Sequence, residues 1–136
     1  ERKNHSMTVN YQPIGTDATV SYGSVDFKFK NSRSYPIKIV ATVNSGLVTI
    51  SIYGVKEENE PTVEIVVEKT QEEDFEVVYE KTSSIPEGTE VIKQTGKKGY
   101  KCSTYRALYQ NGKLISKTLL STDTYKPQKQ IVQTNK

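Results

Sequence analysis

Apolar and polar residues alternate along much of the chain, with the period of two that is typical of strands with one face in water. In residues 25–30, for example, Val and Phe alternate with Asp and Lys. The pattern predicts four successive strands, at residues 18–22, 25–30, 37–43 and 47–53, with residues 44–46 as a three-residue turn. We expect these strands to form an antiparallel meander, and helix to be nearly absent.

Two longer runs, residues 99–110 and 113–125, are rich in Thr, Tyr, Leu and Ile and flank the dipeptide Asn111-Gly112. Asn-Gly between β-prone runs predicts a hairpin, because a type I′ turn needs positive φ at both central residues. We therefore predict a long two-stranded ribbon. Since such a ribbon is marginally stable alone, we expect a third strand beside it, formed by residues 75–81.

Acidic, polar segments interrupt the strands between residues 57 and 73, although residues 62–70 have the pattern of a further strand. The sequence therefore divides into a meander (1–56), an acidic connector with a strand (57–73) and the ribbon module (74–136). The predicted fold class is all-β, an antiparallel meander followed by an elongated, thin, mostly single-layer β-ribbon module.

Composition fits a thin structure. Hydrophobic residues make up 34% of the chain and Trp is absent, whereas globular domains contain about 45–50% apolar residues when glycine is counted. One cysteine excludes an intramolecular disulfide, and one histidine excludes the usual zinc-ligand spacings, so we expect no metal site and no cofactor. No stretch approaches the ~18 apolar residues of a membrane helix. The chain begins without Met, and we expect any membrane contact to come from segments upstream.

The net charge is only +3, but the charges are segregated. Residues 1–56 carry seven basic and three acidic side chains, residues 57–90 two and twelve, and residues 91–136 ten and one. Two explanations stay open. The acidic block can lie beside the basic ribbon and neutralise it, or the basic block can bind a polyanion such as wall teichoic acid in a salt-sensitive manner. No nucleic-acid-binding motif accompanies the charge, so nucleic acid is not an expected partner.

The hairpin register bears on the same question. In the predicted register Tyr109 lies opposite Leu114, and Arg106 lies opposite Lys117. Like charges directly across a ladder are destabilising. We therefore expect either acidic side chains or an external anion close to this pair.

Residues 1–56 resemble the C-terminal part of a VanW-like domain. The resemblance is carried by residues 1–6 (ERKNHS), 11–20 (YQPIGTDATV), 22–31 (YGSVDFKFKN) and 35–37 (YPI). It implies a Gram-positive cell-envelope protein, from a family first noticed in a vancomycin-resistance cluster and without a settled biochemical role. The Gly-rich, Cys-containing motif that such domains carry upstream is absent from this chain.

Residues 74–136 resemble the G5 domain, a module named for its five glycines. The resemblance rests on residues 86–88 (PEG), 95–99 (TGKKG), 109–113 (YQNGK) and Pro127. A closing Gly-Thr that is common in the module is replaced here by residues 133–135 (QTN). The resemblance implies a thin, extended β module of bacterial surface proteins and wall enzymes, which has been suggested to bind polymers containing N-acetylglucosamine.

His5 and Asp17 are the candidate catalytic residues, and two interpretations stay open. His5 could be the base of a Cys–His–Asp arrangement that Asp17 orients, with the thiol supplied by the upstream motif. Alternatively, His5 is a surface histidine and Asp17 accepts hydrogen bonds from its own turn. Cys102 cannot supply the thiol because it lies in the second module, where we expect a small, partly buried apolar side chain.

Four tyrosines of the ribbon, Tyr100, Tyr105, Tyr109 and Tyr125, are expected to be exposed. Their flat faces can stack on sugar rings, or they can provide the hydrophobic contacts that hold a single-layer ribbon together. With the neighbouring basic side chains, the candidate ligand-binding set is Tyr100, Tyr105, Tyr109, Lys101, Arg106, Lys113 and Lys117.

The leading functional hypothesis is a non-catalytic module at the cell wall of a Gram-positive bacterium, outside the cytoplasm. It would bind peptidoglycan glycan or teichoic acid, or act as a spacer or adhesion module. The alternative is the remnant of a wall-modifying enzyme whose catalytic half lies upstream, with His5 and Asp17 as its visible part. Self-association through exposed β edges is a third possibility.

Overall fold

The computed structural model describes residues 1–136 and contains eight strands and no helix. The strands are β1 (Lys38–Asn44), β2 (Leu47–Tyr53), β3 (Thr62–Glu73), β4 (Val77–Lys81), β5 (Glu90–Gln94), β6 (Gly99–Gln110), β7 (Lys113–Tyr125) and β8 (Gln130–Thr134). The predicted all-β class is confirmed.

The strands form three separate sheets. β1 and β2 form a hairpin, β3-β6-β7 form an antiparallel sheet that we call the ribbon sheet, and β4-β8-β5 form a third sheet. In the third sheet β8 runs parallel to β4 and antiparallel to β5. No strand contacts a strand of another sheet, so each sheet is a single layer.

The surface area shows how thin the molecule is. A compact globular protein of 15.3 kDa exposes about 7,100 Å², whereas this chain exposes 10,483 Å². Only 10 of 136 residues are buried. Stability therefore depends on a few buried contacts. Most of the buried residues lie where the N-terminal segment packs against the ribbon sheet, while Val132 and Thr134 lie in β8 of the third sheet.

The N-terminal region forms fewer strands than predicted. β1 and β2 form where they were expected, while residues 18–22 and 25–30 form no ladder beyond a single bridge between Ser21 and Val25. The strands predicted at residues 18–22 and 25–30 are therefore wrong. The turn between β1 and β2 contains two residues rather than three, since Ser45 and Gly46 both have positive φ, at 48° and 79°.

The long hairpin forms as predicted. Asn111 and Gly112 have φ angles of 49° and 75°, the conformation of a type I′ turn. β6 and β7 then pair along their whole length.

The register of the hairpin is only partly as predicted. Tyr109 does lie opposite Leu114, but Arg106 lies opposite Thr118, so its predicted pairing with Lys117 is wrong. The cause is a bulge beside Tyr109 that adds one residue to β7 and shifts every later pair. The expected like-charge pair across the ladder therefore does not form.

The third strand of the ribbon sheet is β3, and the expectation that residues 75–81 would fill this place is wrong. β3 has the same length as β6, 12 residues, and pairs along all of it. The strand at 77–81, β4, has only five residues and pairs with β8 in the third sheet.

The acidic and basic blocks neutralise each other across the strands. Ion pairs join Glu68 with Lys117, Glu72 and Asp74 with Lys98, Glu76 with Lys129, and Glu80 with Lys93. This was the first of the two explanations for the segregated charge. The side chains are exposed, and exposed ion pairs add little to stability, so these pairs set the charge pattern more than the stability.

Candidate functional site

The structure brings His5 and Asp17 together. Nδ1 of His5 lies 2.7 Å from Oδ2 of Asp17, and the backbone N–H of His5 donates to the same oxygen at 2.8 Å. The Asp17 side chain is 1% exposed and that of His5 is 29% exposed. Nε2 of His5 lies 3.4 Å from the Tyr11 hydroxyl. The carboxylate thus fixes the imidazole by Nδ1, while the ring remains accessible.

The second carboxylate oxygen of Asp17 is bound by the ribbon sheet. The Tyr125 hydroxyl donates to Oδ1 of Asp17 and accepts the backbone N–H of Gly15 at 2.7 Å. Burial raises the pKa of Asp17, but the hydrogen bonds from His5 and Tyr125 outweigh it, and the net pKa is lowered. The pKa of the Tyr125 hydroxyl is raised by its burial and by its hydrogen bond to Asp17. An ionised Asp17 and a neutral Tyr125 therefore form a buried pair.

Arg2 extends this network to a second buried carboxylate. Its guanidinium donates to the backbone carbonyl of Asp17 and to the side chains of Asp123 and Ser121. Ser121 in turn donates to Asp123 at 3.1 Å. No buried side-chain polar atom in the molecule lacks a hydrogen-bond partner. The network therefore satisfies two carboxylates that would otherwise be costly to bury.

Gly15 lies against the ribbon sheet so closely that only glycine fits. A Cβ built on it would lie 2.3 Å from Oγ1 of Thr104 and 3.2 Å from Sγ of Cys102, and its φ is +79°. Oγ1 of Thr104 donates to the Gly15 carbonyl at 3.1 Å. Cys102 beneath it is 0% exposed, and burial raises the pKa of its thiol. Cys102 is thus a fully buried packing residue.

The candidate ligand residues are divided between the two faces of the ribbon sheet. Partners across a ladder share a face, and successive residues of a strand alternate between faces. Tyr100 and Arg106 share the face of Cys102 and Thr104, which the N-terminal segment covers in part. The opposite, uncovered face carries Lys101, Tyr105, Tyr109 and Lys117, while Lys113 lies beside the turn.

Two of the tyrosine rings are partly covered by lysine. The Lys69 ammonium lies 4.5 Å from the centroid of the Tyr100 ring, and that of Lys117 lies 4.3 Å from the Tyr105 ring. These cation–π contacts occupy one face of each ring. Tyr109 has no such contact and is half-buried on the uncovered face.

The expectation that the four tyrosines of the ribbon are exposed is wrong. Tyr125 is 1% exposed, and Tyr100, Tyr105 and Tyr109 are half-buried. The sequence analysis also missed the roles of Arg2 and Asp123. One signal was available: Asp is disfavoured in strands, and Asp123 interrupts an otherwise Thr-rich run. It shares a face with Tyr125, two positions along β7, so both side chains could have been expected to have a specific partner.

Taken together, the fold is that of a thin, all-β module whose N-terminal segment is bound to one face of a single-layer sheet. Residues 55–135 match the model of the G5 domain. This match covers more than half of the chain, which therefore belongs to the G5 domain family. Residues 1–53 match the model described as VanW like protein. Both resemblances expected from the sequence are confirmed.

Individual relatives were found for each part. Over 53 residues the chain is 43% identical to the uncharacterized protein YoaR of Bacillus subtilis (strain 168), covering 39% of this chain but only 18% of that protein. The solved IgA1 protease G5 domain is 29% identical, covers 57% of this chain and 94% of its own, and has a TM-score of 0.37. The crystal structure of HP0197-G5 is 25% identical, with coverages of 55% and 97% and a TM-score of 0.30. No helix that could cross a membrane is present.

Proposed function

We propose that this chain is a non-catalytic, cell-wall-associated module of a bacterial envelope protein, located outside the cytoplasm, and that its ribbon sheet binds peptidoglycan glycan. Membership in the G5 family and the VanW-like match support the association with the wall. The glycan is the more specific part of the proposal. It rests on the chemistry of one face of the ribbon sheet.

The observation that carries the proposal is the difference between the two faces. One face is partly covered by the N-terminal segment, whereas the other is open and carries Tyr109 in a row with Thr62 and Leu114. Sugar rings have apolar faces edged by hydroxyls, so they suit an aromatic ring with polar neighbours. Glu64 and Lys117, in the next row, supply an acceptor and a donor for those hydroxyls.

Sedimentation with purified Gram-positive cell walls tests the proposal. Walls are used before and after removal of teichoic acid, at low and high salt. Binding to glycan predicts that the chain stays bound to stripped walls and is insensitive to salt. Tyr109→Ala should reduce the bound fraction, while Tyr100→Ala, on the other face, is the matched control and should not.

Two outcomes would contradict glycan binding. Loss of binding on stripping, or in high salt, would indicate a polyanion bound by cations without an intramolecular partner, such as Lys101, Arg106 and Lys113. Absence of binding under every condition would indicate a spacer instead.

A second candidate function is favoured by the geometry of His5. A carboxylate that holds Nδ1 of an accessible imidazole is the arrangement of a His base in nucleophilic enzymes. Cys102 cannot be the nucleophile because it is fully buried beneath Gly15, so the nucleophile would come from another segment of a longer protein. Activity of that longer protein on wall polymers, abolished by His5→Ala with the fold retained, would establish this function.

A further inference from the structure

Glu1 and Lys28 form a reciprocal backbone pair. The amino group of Glu1 donates to the carbonyl of Lys28 at 2.7 Å, and the N–H of Lys28 donates to the carbonyl of Glu1 at 3.0 Å. Two residues that exchange both bonds form the hydrogen-bonded pair of an antiparallel ladder. The direction and register of a strand that runs through Glu1 are therefore fixed by Lys28.

The side chains around this pair are arranged as in a ladder. Those of Glu1 and Lys28 form an exposed ion pair, with Nζ 3.8 Å from Oε2. Next to the pair, Arg2 and Phe27 both line a groove, and so does Phe29, whose ring centroid lies 6.3 Å from that of Phe27. Partners across a ladder share a face, and successive residues alternate between faces. A residue joined to the amino group of Glu1 would therefore lie opposite Phe29, over the groove.

The groove has a volume of about 500 Å³ and lies between the N-terminal region and the ribbon sheet. Its large apolar side chains come from both sides, since Phe27 and Phe29 face Ile65 of β3 and Leu120 of β7. Each of the four is 52–54% exposed. Half-exposed apolar side chains around one concavity favour the binding of a further apolar group. A side chain that enters the groove would be stabilised by burial.

The backbone edge beside this groove is unpaired. After Lys28, the next hydrogen-bonded position of the ladder is Lys30. The backbone of Lys30 forms no hydrogen bond within the chain, and the residue is exposed. Its N–H and carbonyl are therefore open to a further strand. An occupant that fits both the edge and the groove supplies backbone groups at strand spacing together with an apolar side chain, and this is the chemistry of polypeptide.

We propose that the groove and the edge at Lys30 are the docking site of polypeptide joined to the amino group of Glu1. This polypeptide continues antiparallel to residues 28–30, bonds the backbone of Lys30 and places an apolar side chain opposite Phe29. A separate peptide or a second copy would gain only a short ladder and would lose its freedom of motion on binding. Polypeptide joined to Glu1 is already held in register beside the site. The proposal rests neither on glycan binding nor on chemistry at His5.

Short extensions of the chain at Glu1 test this site. One extension is Ser-Thr-Thr-Leu, with Leu joined to Glu1, and the other is Ser-Thr-Leu-Thr, which moves the Leu to the solvent face. We expect the first to raise Tm by about 4 °C over the second, because one Leu side chain is partly buried. NMR should show an Hα–Hα contact between this Leu and Phe29, which face each other in a non-hydrogen-bonded pair. The amide of Lys30 should exchange more slowly than in the chain without an extension.

Two adjacent leucines of β7 provide the matched variants. Leu120 lines the groove, whereas Leu119 lies opposite Tyr105 on the other face of the ribbon sheet. They are equally exposed, at 53% and 54%. Leu120→Ala should remove about half or more of the Tm difference between the two extensions. Leu119→Ala should leave that difference unchanged.

Equal Tm values for the two extensions would overturn the proposal, and so would unchanged exchange of the Lys30 amide or equal effects of the two leucine variants. Dimerisation of the chain without an extension, abolished by Leu120→Ala in analytical ultracentrifugation, would also overturn it, because a second copy would then occupy the groove. Wall sedimentation depends on Tyr109 on the other face. Either proposal can therefore fail while the other holds.

Discussion

Replacement of Tyr125 by Phe removes a single hydroxyl from the contact between the N-terminal segment and the ribbon sheet. That hydroxyl donates to Oδ1 of Asp17 and accepts the N–H of Gly15. Phe fills the same volume, so packing is retained and only the two hydrogen bonds are lost. The variant therefore isolates the polar contribution of Tyr125 to stability.

The expected loss follows from burial. A hydrogen bond to a charged group is worth about 1.5–3 kcal/mol, and a buried N–H without a partner costs about 1–3 kcal/mol. Because one hydroxyl makes both bonds, the two losses overlap, and we expect about 2–4 kcal/mol in the free energy of unfolding. For a chain of this length about 1 kcal/mol corresponds to about 4 °C in Tm. The variant should therefore melt about 8–16 °C lower.

Two measurements check this expectation. Thermal and urea unfolding give the change in stability, and hydrogen exchange at the Gly15 amide reports the lost bond directly. Tyr109→Phe is the control, since it removes a hydroxyl on the uncovered face and should change stability by less than about 0.5 kcal/mol.

The reasoning would be refuted by equal stabilities of the two variants. It would also be refuted by unchanged protection of the Gly15 amide in Tyr125→Phe. Either result would mean that the hydroxyl of Tyr125 does not hold the N-terminal segment against the ribbon sheet.

Further predictions concern the same contact. Gly15→Ala should lower the free energy of unfolding by about 2–5 kcal/mol, because its methyl group would overlap Thr104 and its backbone would be strained at a positive φ. Gly23→Ala is the control. Gly23 has φ +76° and open space around it, so this variant should lose only about 1–2 kcal/mol in the same unfolding experiment. The pKa of Asp17 is lowered in the folded state, so ionised Asp17 stabilises the fold. This contribution is complete above the pKa that Asp17 has in the unfolded chain, and it is lost as pH falls through the lower pKa of the folded state. Tm of the natural chain should therefore fall more steeply below about pH 4 than Tm of Asp17→Asn, and parallel curves would contradict this. Cys102 is fully buried, so it should react with a thiol reagent only when the N-terminal segment separates from the ribbon sheet. Labelling of Cys102 should therefore be faster in Tyr125→Phe than in the natural chain, and equal labelling rates would contradict this expectation.

The local features of the fold were predictable because each depends on short-range chemistry. Asn111-Gly112 forms the expected turn, since the backbone conformation that it favours is set by those two residues alone. The register beyond the turn was not predictable, because β7 has two bulges, each of which adds one residue and shifts the pairs beyond it, and no residue type marks either bulge. The choice of β3 rather than β4 as third strand depended on matching lengths across the sheet.

The candidate site, too, contains some features that the sequence predicted and others that it did not. His5 and Asp17 were identified as a pair from their residue types and from a family resemblance, and they do lie together. The roles of Arg2 and Asp123 were missed because these two partners are separated by 121 positions in the sequence. Tyr125 was assigned to the exposed set because alternation along a strand does not tell which face another segment will cover.

The two family matches meet between residues 53 and 55, but the buried polar groups of each part have their partners in the other. Without the N-terminal segment, Asp123 would lose Arg2, and Tyr125 would lose Asp17. Without β7, the carboxylate that orients His5 would lose one of its donors. His5 binds one carboxylate oxygen of Asp17 and Tyr125 binds the other. Asp17 is therefore the residue that joins His5 to the ribbon sheet, and the two family matches share one polar network.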